Sequence, residues 1–497
     1  MVEYFTYPVG QDKRMKMRTR KLALIASILP WCLSPGRQAL AQVTQIVSVS
    51  SVGQQGNDIS GRYAGPALNG DGEIVAFDSQ ASTLVPGDTN LTTDVFVHDR
   101  RTGATERVSV SSSGDQANDV STRPGIDAAG ALVVFDSAAS NLVAGDTNGA
   151  LDVFVHNRKT HSTERVSVSS NGAQGNGPSY SPTISASGQF ICFVSAAANL
   201  VANDTNNAED IFVRDLLAGR TERVSLGDIG QQANSSTTLA SISADGRWVV
   251  FSSYASNLVP NDTNGQFDVF IHDRATGLTE LVSVDSAGQQ ADGTSSAPSV
   301  SGDGRFVAYW SDATNLVPGD TNARRDIFVR DQTAGTTERV SVSSAGVQAD
   351  GNSQDPAVRG FTASGPQITP DGRWIAFYAS ATNLVPGDTN TCPNVFSNPG
   401  ECPDVFVRDR VAGTTTRVNV ASDGTQANDR TADPAISASG RVVAYFSAAG
   451  NLVANDTNIC QPVFPNNCPD IFTSLVNWIF ADGFESGGAT SWSRSLP

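Results

Sequence analysis

Three oxygen-bearing side chains, Asp88, Asn90 and Asp94, stand at positions 1, 3 and 7 of one loop. Oxygen ligands at alternating positions followed by a carboxylate are what a calcium loop uses, because calcium takes several hard oxygens in a flexible shell. The same trio returns as Asp146, Asn148 and Asp152, as Asp204, Asn206 and Asp210, as Asp262, Asn264 and Asp268, and as Asp320, Asn322 and Asp326. Two longer copies follow, Asp388, Asn390 and Asp404, then Asp456, Asn458 and Asp470. Against calcium, position 5 is Thr92, Ala150 or Ala208, position 6 is not glycine, and no glutamate stands at position 12. Asp and Asn also close turns by bonding their own backbone, and the flanking Pro86-Gly87 is turn chemistry already. Both readings, possible calcium loops and metal-free turns, stand as expectations.

Catalysis has little to build on. A reaction centre needs different residues in distinct roles, and a trio repeated seven times offers one role seven times. No Gly-x-Ser-x-Gly elbow or His-Glu-x-x-His helix occurs. His98, His156 and His272 share one position with Arg214, Arg330 and Arg408 and read as solvated strand ends.

The elements that carry these loops repeat every 58 residues over the first five copies and every 68 over the last two. Fixed self-similarity of this kind marks units that bury their apolar faces against neighbours. The extra tens fall at 355–366 and between Cys392 and Cys402, as surface-loop insertions do. Each unit holds four strand-like pieces, in the first copy Pro66 to Leu68, Glu73 to Phe77, Asp94 to His98 and Thr105 to Ser111. The second is apolar throughout and the fourth alternates, a grading from buried to half-wet strand. Seven second pieces and seven third pieces occur, but only six fourth pieces follow them. The seventh is Gln45 to Ser50, followed by Gly53-Gln54-Gln55-Gly56-Asn57, which matches Gly114 to Asn118. The expected fold is therefore all-β, a seven-bladed β-propeller of four-stranded blades closed by the N-terminal strand completing the last blade.

The turns and strands Ala244-Asp245-Gly246-Arg247-Trp248, Gly302-Asp303-Gly304-Arg305-Phe306 and Pro370-Asp371-Gly372-Arg373-Trp374 resemble the TolB-type (WD40-like) propeller repeat of bacterial envelope proteins. The resemblance covers roughly residues 44–475 and implies a propeller, often an interaction scaffold. The chain departs from the TolB pattern in its Asp-Thr-Asn loops and in counting seven blades, where the TolB protein's own propeller has six, so that protein's partners are not carried over.

Composition sets the rest. Residues 1–41 read as a signal peptide: six basic residues from Lys13 to Lys21, an apolar run from Leu22 to Leu33, and Ala39-Leu40-Ala41 for cleavage. Its removal takes seven basic and two acidic side chains, moving the formal charge from −17 to −22. Such a surface repels phosphate backbones, so nucleic acid is excluded as an expected partner. Cysteine usage fits export: Cys392 with Cys402 and Cys460 with Cys468 are expected disulfides, each bracketing a loop, while Cys192 reads as a buried small hydrophobe. Residues 42–475 form the propeller and 476–497 a tail, read as a strap or a sorting signal. The expectation is a secreted, monomeric, non-catalytic binding or scaffold module for a protein or glycan, periplasmic, cell-surface or extracellular. The alternative is an extracellular hydrolase or lyase acting at the central channel, and Trp310 or Arg359-Gly360-Phe361 could serve either.

Overall fold

The computed structural model describes residues 42–354, 365–390, 392, 402–458, 460 and 468–476. Residues 1–41, expected as a signal peptide, residues 477–497 of the tail, and residues 355–364 with Arg359 to Phe361 lie outside the described residues.

Twenty-eight strands form seven antiparallel sheets of four among the described residues. β1 is Val43–Ile46. The first blade then runs β2 (Ala67–Leu68), β3 (Ile74–Ser79), β4 (Asp94–Asp99) and β5 (Ala104–Arg107), in that order from the inside outwards. The ring closes as the strand count requires. The last sheet places β1 outside the strand Asp470–Leu475, with Val43 opposite Leu475 and Ile46 opposite Phe472. The outer strands are shorter than the alternation suggested, because the chain turns off after Arg107 and sends Ser109 back under the blade.

The second and third strands of each blade are buried on both faces, as their unbroken apolar runs require. Phe77 stacks on Phe96 at 6.0 Å, and the six other blades repeat the pair, with tyrosine replacing the first phenylalanine in two of them. Each such fully buried ring contributes roughly 1.5–3 kcal/mol. The core lies between blades: Val213 of one blade packs with Val249 and Phe251 of the next. At the opposite end of the ring from the Asp-Thr-Asn loops, Gly246 holds φ +77°, and a Cβ there would enter the Phe190 ring of the preceding blade. That close approach explains the glycine of the Asp-Gly turn.

The innermost strand is each sheet's edge, with one row of backbone groups towards the axis. Pro124, Pro182, Pro298 and Pro434 blunt that edge, since proline has no N–H to leave unpaired. Just before them the register slips, and Arg123, Ser181, Leu239, Ala297 and Asp433 take φ between 46 and 52°. These bulges turn five non-glycine residues of left-handed backbone towards the axis.

Candidate functional site

In the first blade the Asp-Thr-Asn loop closes over strand β4, and its carboxylates meet protein donors. Asp94 accepts from the Ser109 hydroxyl at 2.6 Å, from Asn90 Nδ2 at 3.1 Å and from Gln116 Nε2 at 2.8 Å. Gln116 Nε2 also donates to Asp88 at 2.8 Å. Asn90 cannot turn its oxygen inwards, because Nδ2 donates to the Ala117 carbonyl and Oδ1 accepts from the Thr92 N–H. The positive charge comes from Arg107, whose Nη1 lies 3.5 Å from Asp88 and 3.7 Å from Asp94, an ionic contact longer than a hydrogen bond. Blade 3 has the tighter version: Arg223 at 2.9 Å from Asp204 and 3.1 Å from Asp210. A donor set of amide N–H groups and a guanidinium suits a pair of anions and competes with a cation. Among the described residues no group of three or more His, Cys, Asp or Glu side chains is arranged to hold a metal ion.

The arginine is present in five blades, as Arg107, Arg165, Arg223, Arg339 and Arg417. Leu281 and Ile46 replace it in the fourth and seventh. There burial pushes the Asp268 carboxyl up to about 6 and the Asp470 carboxyl up to about 8. Asp470 is held by Ser48 at 2.6 Å, and Gln55 reaches Asp456 at 3.4 Å, so the N-terminal segment supplies both a strand and the donors of the last blade's loop. Both expected disulfides form, Cys392 with Cys402 and Cys460 with Cys468. They hold the long copies in the common geometry, with Asn390 3.1 Å from Asp404 and Asn458 2.9 Å from Asp470.

Gln116, Arg107 and their counterparts are the partners that reading the loop alone passes over. The signal was available as fixed offsets, 13 residues from Asp94 to the arginine and 22 to the glutamine. The histidines need correction: His98, His156 and His272 are 6, 2 and 5 % exposed, not solvated. Each Nδ1 bonds a threonine hydroxyl at 2.8–2.9 Å, and burial lowers its pKa. That position faces the neighbouring blade, which is why Arg214 there reaches the Ser169 carbonyl.

On the face bearing the Asp-Thr-Asn loops, where the inner strands begin, a cavity of about 210 Å³ opens on the axis. All seven blades line it, through Tyr63, Arg123, Ser181, Leu239, Ala297, Gly365 and Asp433 among others. Repetition breaks down around it. Serine pairs with the first residue of the inner strand in five blades, but the partners of the second residue differ from blade to blade: Asp136, Val194, Ser252, Trp310 and Phe446. Arg123 is neutralised by the buried Asp136 at 3.2 Å. Near it the Tyr180 hydroxyl bonds Glu209. Trp310 is half-buried beneath Arg325, which lies 3.7 Å from its ring and forks onto Asp312.

A chain of seven such sheets around an axial cavity has known counterparts. An oligogalacturonate lyase from Vibrio parahaemolyticus is similar at TM-score 0.51 and 12 % identity, over 88 % of this chain and 98 % of that one. The fold is a seven-bladed β-propeller. TolB proteins are among its structural neighbours, as the repeat resemblance implied. TolB from Acinetobacter baumannii matches at TM-score 0.34 and 17 % identity, over 56 % of this chain and 53 % of that one. The propeller thus spans about half the length of that TolB protein. At these identities the likeness concerns the fold alone. No protein-family model and no curated protein matches the sequence.

Proposed function

We propose that this propeller is a non-catalytic binding or scaffold module, acting outside the cytoplasm, whose partner engages the mouth of the axial channel on the Asp-Thr-Asn face. One observation carries the reading. The buried ring pair of the second and third strands recurs in every blade, whereas the bulge residues at this mouth, Arg123, Ser181, Leu239, Ala297 and Asp433, differ from blade to blade, which is what a single asymmetric ligand would require of a symmetric scaffold. The acidic loops, bound into their own blades, act as structure. Two disulfides in short loops support an oxidising compartment. Among the described residues no helix is long and apolar enough to cross a membrane.

Leu239→Trp, which fills the cavity from a residue already in left-handed backbone, tests the reading. Partner capture from envelope extracts and glycan arrays should be lost in this variant and retained in Leu217→Ala, an exposed change on the opposite face. Equal capture by both would remove the proposal. The competing reading, an extracellular hydrolase or lyase, draws on Asp433 in the same cavity, and release of products from a polysaccharide substrate would establish it. Calcium narrows, as a proposal, to Asp262 with Asp268 and Asp456 with Asp470, where no arginine supplies the charge. Metal-stripped protein melted with and without calcium tests this, and an unchanged midpoint removes it.

A further inference from the structure

The cavity has two tiers. At its floor Thr183, Ser241, Ser299 and Gln367 line it from four consecutive blades, at one register position opposite Cys192, Val250, Ala308 and Ala376. Each is neutral and carries both a donor and an acceptor. The Thr183 oxygen itself is covered, beside the Cys192 thiol, so the polar groups the floor offers a ligand are the Ser241 and Ser299 hydroxyls and the Gln367 amide. Above them the wall carries the Tyr63 ring and the rigid rings of Pro124, Pro182 and Pro298.

These walls discriminate between ligand classes. A peptide entering by strand addition needs a free, straight sheet edge, and here the inner edges are bulged and blunted by proline. An anion needs an unpaired cation, and Arg123 already faces Asp136. A ring of hydroxyls with apolar C–H faces meets both tiers, its hydroxyls on the floor and its faces on the Tyr63 and proline rings. At about 210 Å³ the space far exceeds the volume one water occupies.

We propose that the channel mouth binds a neutral saccharide, one sugar unit seated on the Ser241, Ser299 and Gln367 floor. This rests on the binding-module reading and names its ligand class. The test is calorimetric titration of the full chain with neutral methyl glycosides of glucose, galactose, mannose and N-acetylglucosamine, with galacturonate as the acidic comparison and a peptide digest of envelope proteins as the other class. At least one neutral glycoside should bind, galacturonate should not, and Ser241→Ala with Gln367→Leu should weaken binding about tenfold or more with the melting temperature unchanged. Preference for galacturonate, or neutral-sugar binding indifferent to the floor variant, overturns the proposal. If no sugar binds but Leu239→Trp abolishes peptide binding, the saccharide fails and the binding-module reading stands. If Leu239→Trp alters the binding of no probe, both fail.

Discussion

Replacing Arg223 by leucine puts into blade 3 the residue that blade 4 carries naturally at Leu281, so the shape is tolerated and the charge is what changes. The side chains of Arg223, Asp204 and Asp210 are 8, 5 and 0 % exposed, so solvent screens little of their interaction. Removing one member of a buried ion pair costs roughly 3–5 kcal/mol, because the remaining carboxylates lose their counter-charge. Unfolding entropy of about 2.1 cal/mol/K per residue makes 1 kcal/mol worth about 1 °C in a ring of this size if it melts as one unit, so the expected drop is about 3–5 °C. The drop has a pH signature. In the arginine-free blade 4 burial raises Asp268 to about 6, so a carboxyl of the leucine variant should take up a proton in mildly acid solution and relieve the repulsion. Scanning calorimetry in chelator at pH 7.5 and pH 5 should show the larger loss at pH 7.5. The reciprocal change, Leu281→Arg, should raise the midpoint at pH 7.5. A shift below about 1 °C for Arg223→Leu at pH 7.5, or equal shifts at both pH values, would refute the view that these loops are ionic struts.

Three further outcomes follow from the same geometry. Changing Cys460 and Cys468 to serine opens a loop of 8 residues and should cost about 2.5 kcal/mol by chain entropy, read as an earlier urea midpoint than the oxidised protein shows. Asp470, raised to about 8, binds a proton in the folded ring that the unfolded chain releases near pH 4, so its contribution to stability falls as pH rises from 4 through 8. Asp470→Asn should flatten the melting profile between pH 6 and 9, and an unchanged slope would count against a protonated Asp470. The histidines work with the opposite dependence. Their folded pKa values lie below the ordinary 6.5, so the unfolded chain binds the extra protons and stability is lost as pH falls below about 6.5. His98→Gln with His156→Gln and His272→Gln should lessen that loss in melts from pH 7 down to 5.

The blade count and the closure were legible in the sequence because they depend on the order of repeated strands, and Gln45 to Ser50 had no other blade to complete. The loop chemistry was only half legible. Asp88, Asn90 and Asp94 lie within one loop, but their partners Arg107 and Gln116 sit on the outer strand and the loop after it, brought back by the fold. His98 was misread because a polar residue at a strand end normally meets water, and here that end meets the next blade. The channel was least legible of all. Arg123, Ser181, Leu239, Ala297 and Asp433 have no common chemistry, and only the repeated bulge turns them towards one axis.

The most direct test pairs two variants against whatever partner the wild-type ring captures. Leu239→Trp should lose binding while melting as the wild type does, and Arg223→Leu should melt earlier yet bind normally at temperatures where it is folded. Loss of binding in Arg223→Leu with full binding in Leu239→Trp would contradict the account, placing function in the acidic loops and structure at the axis.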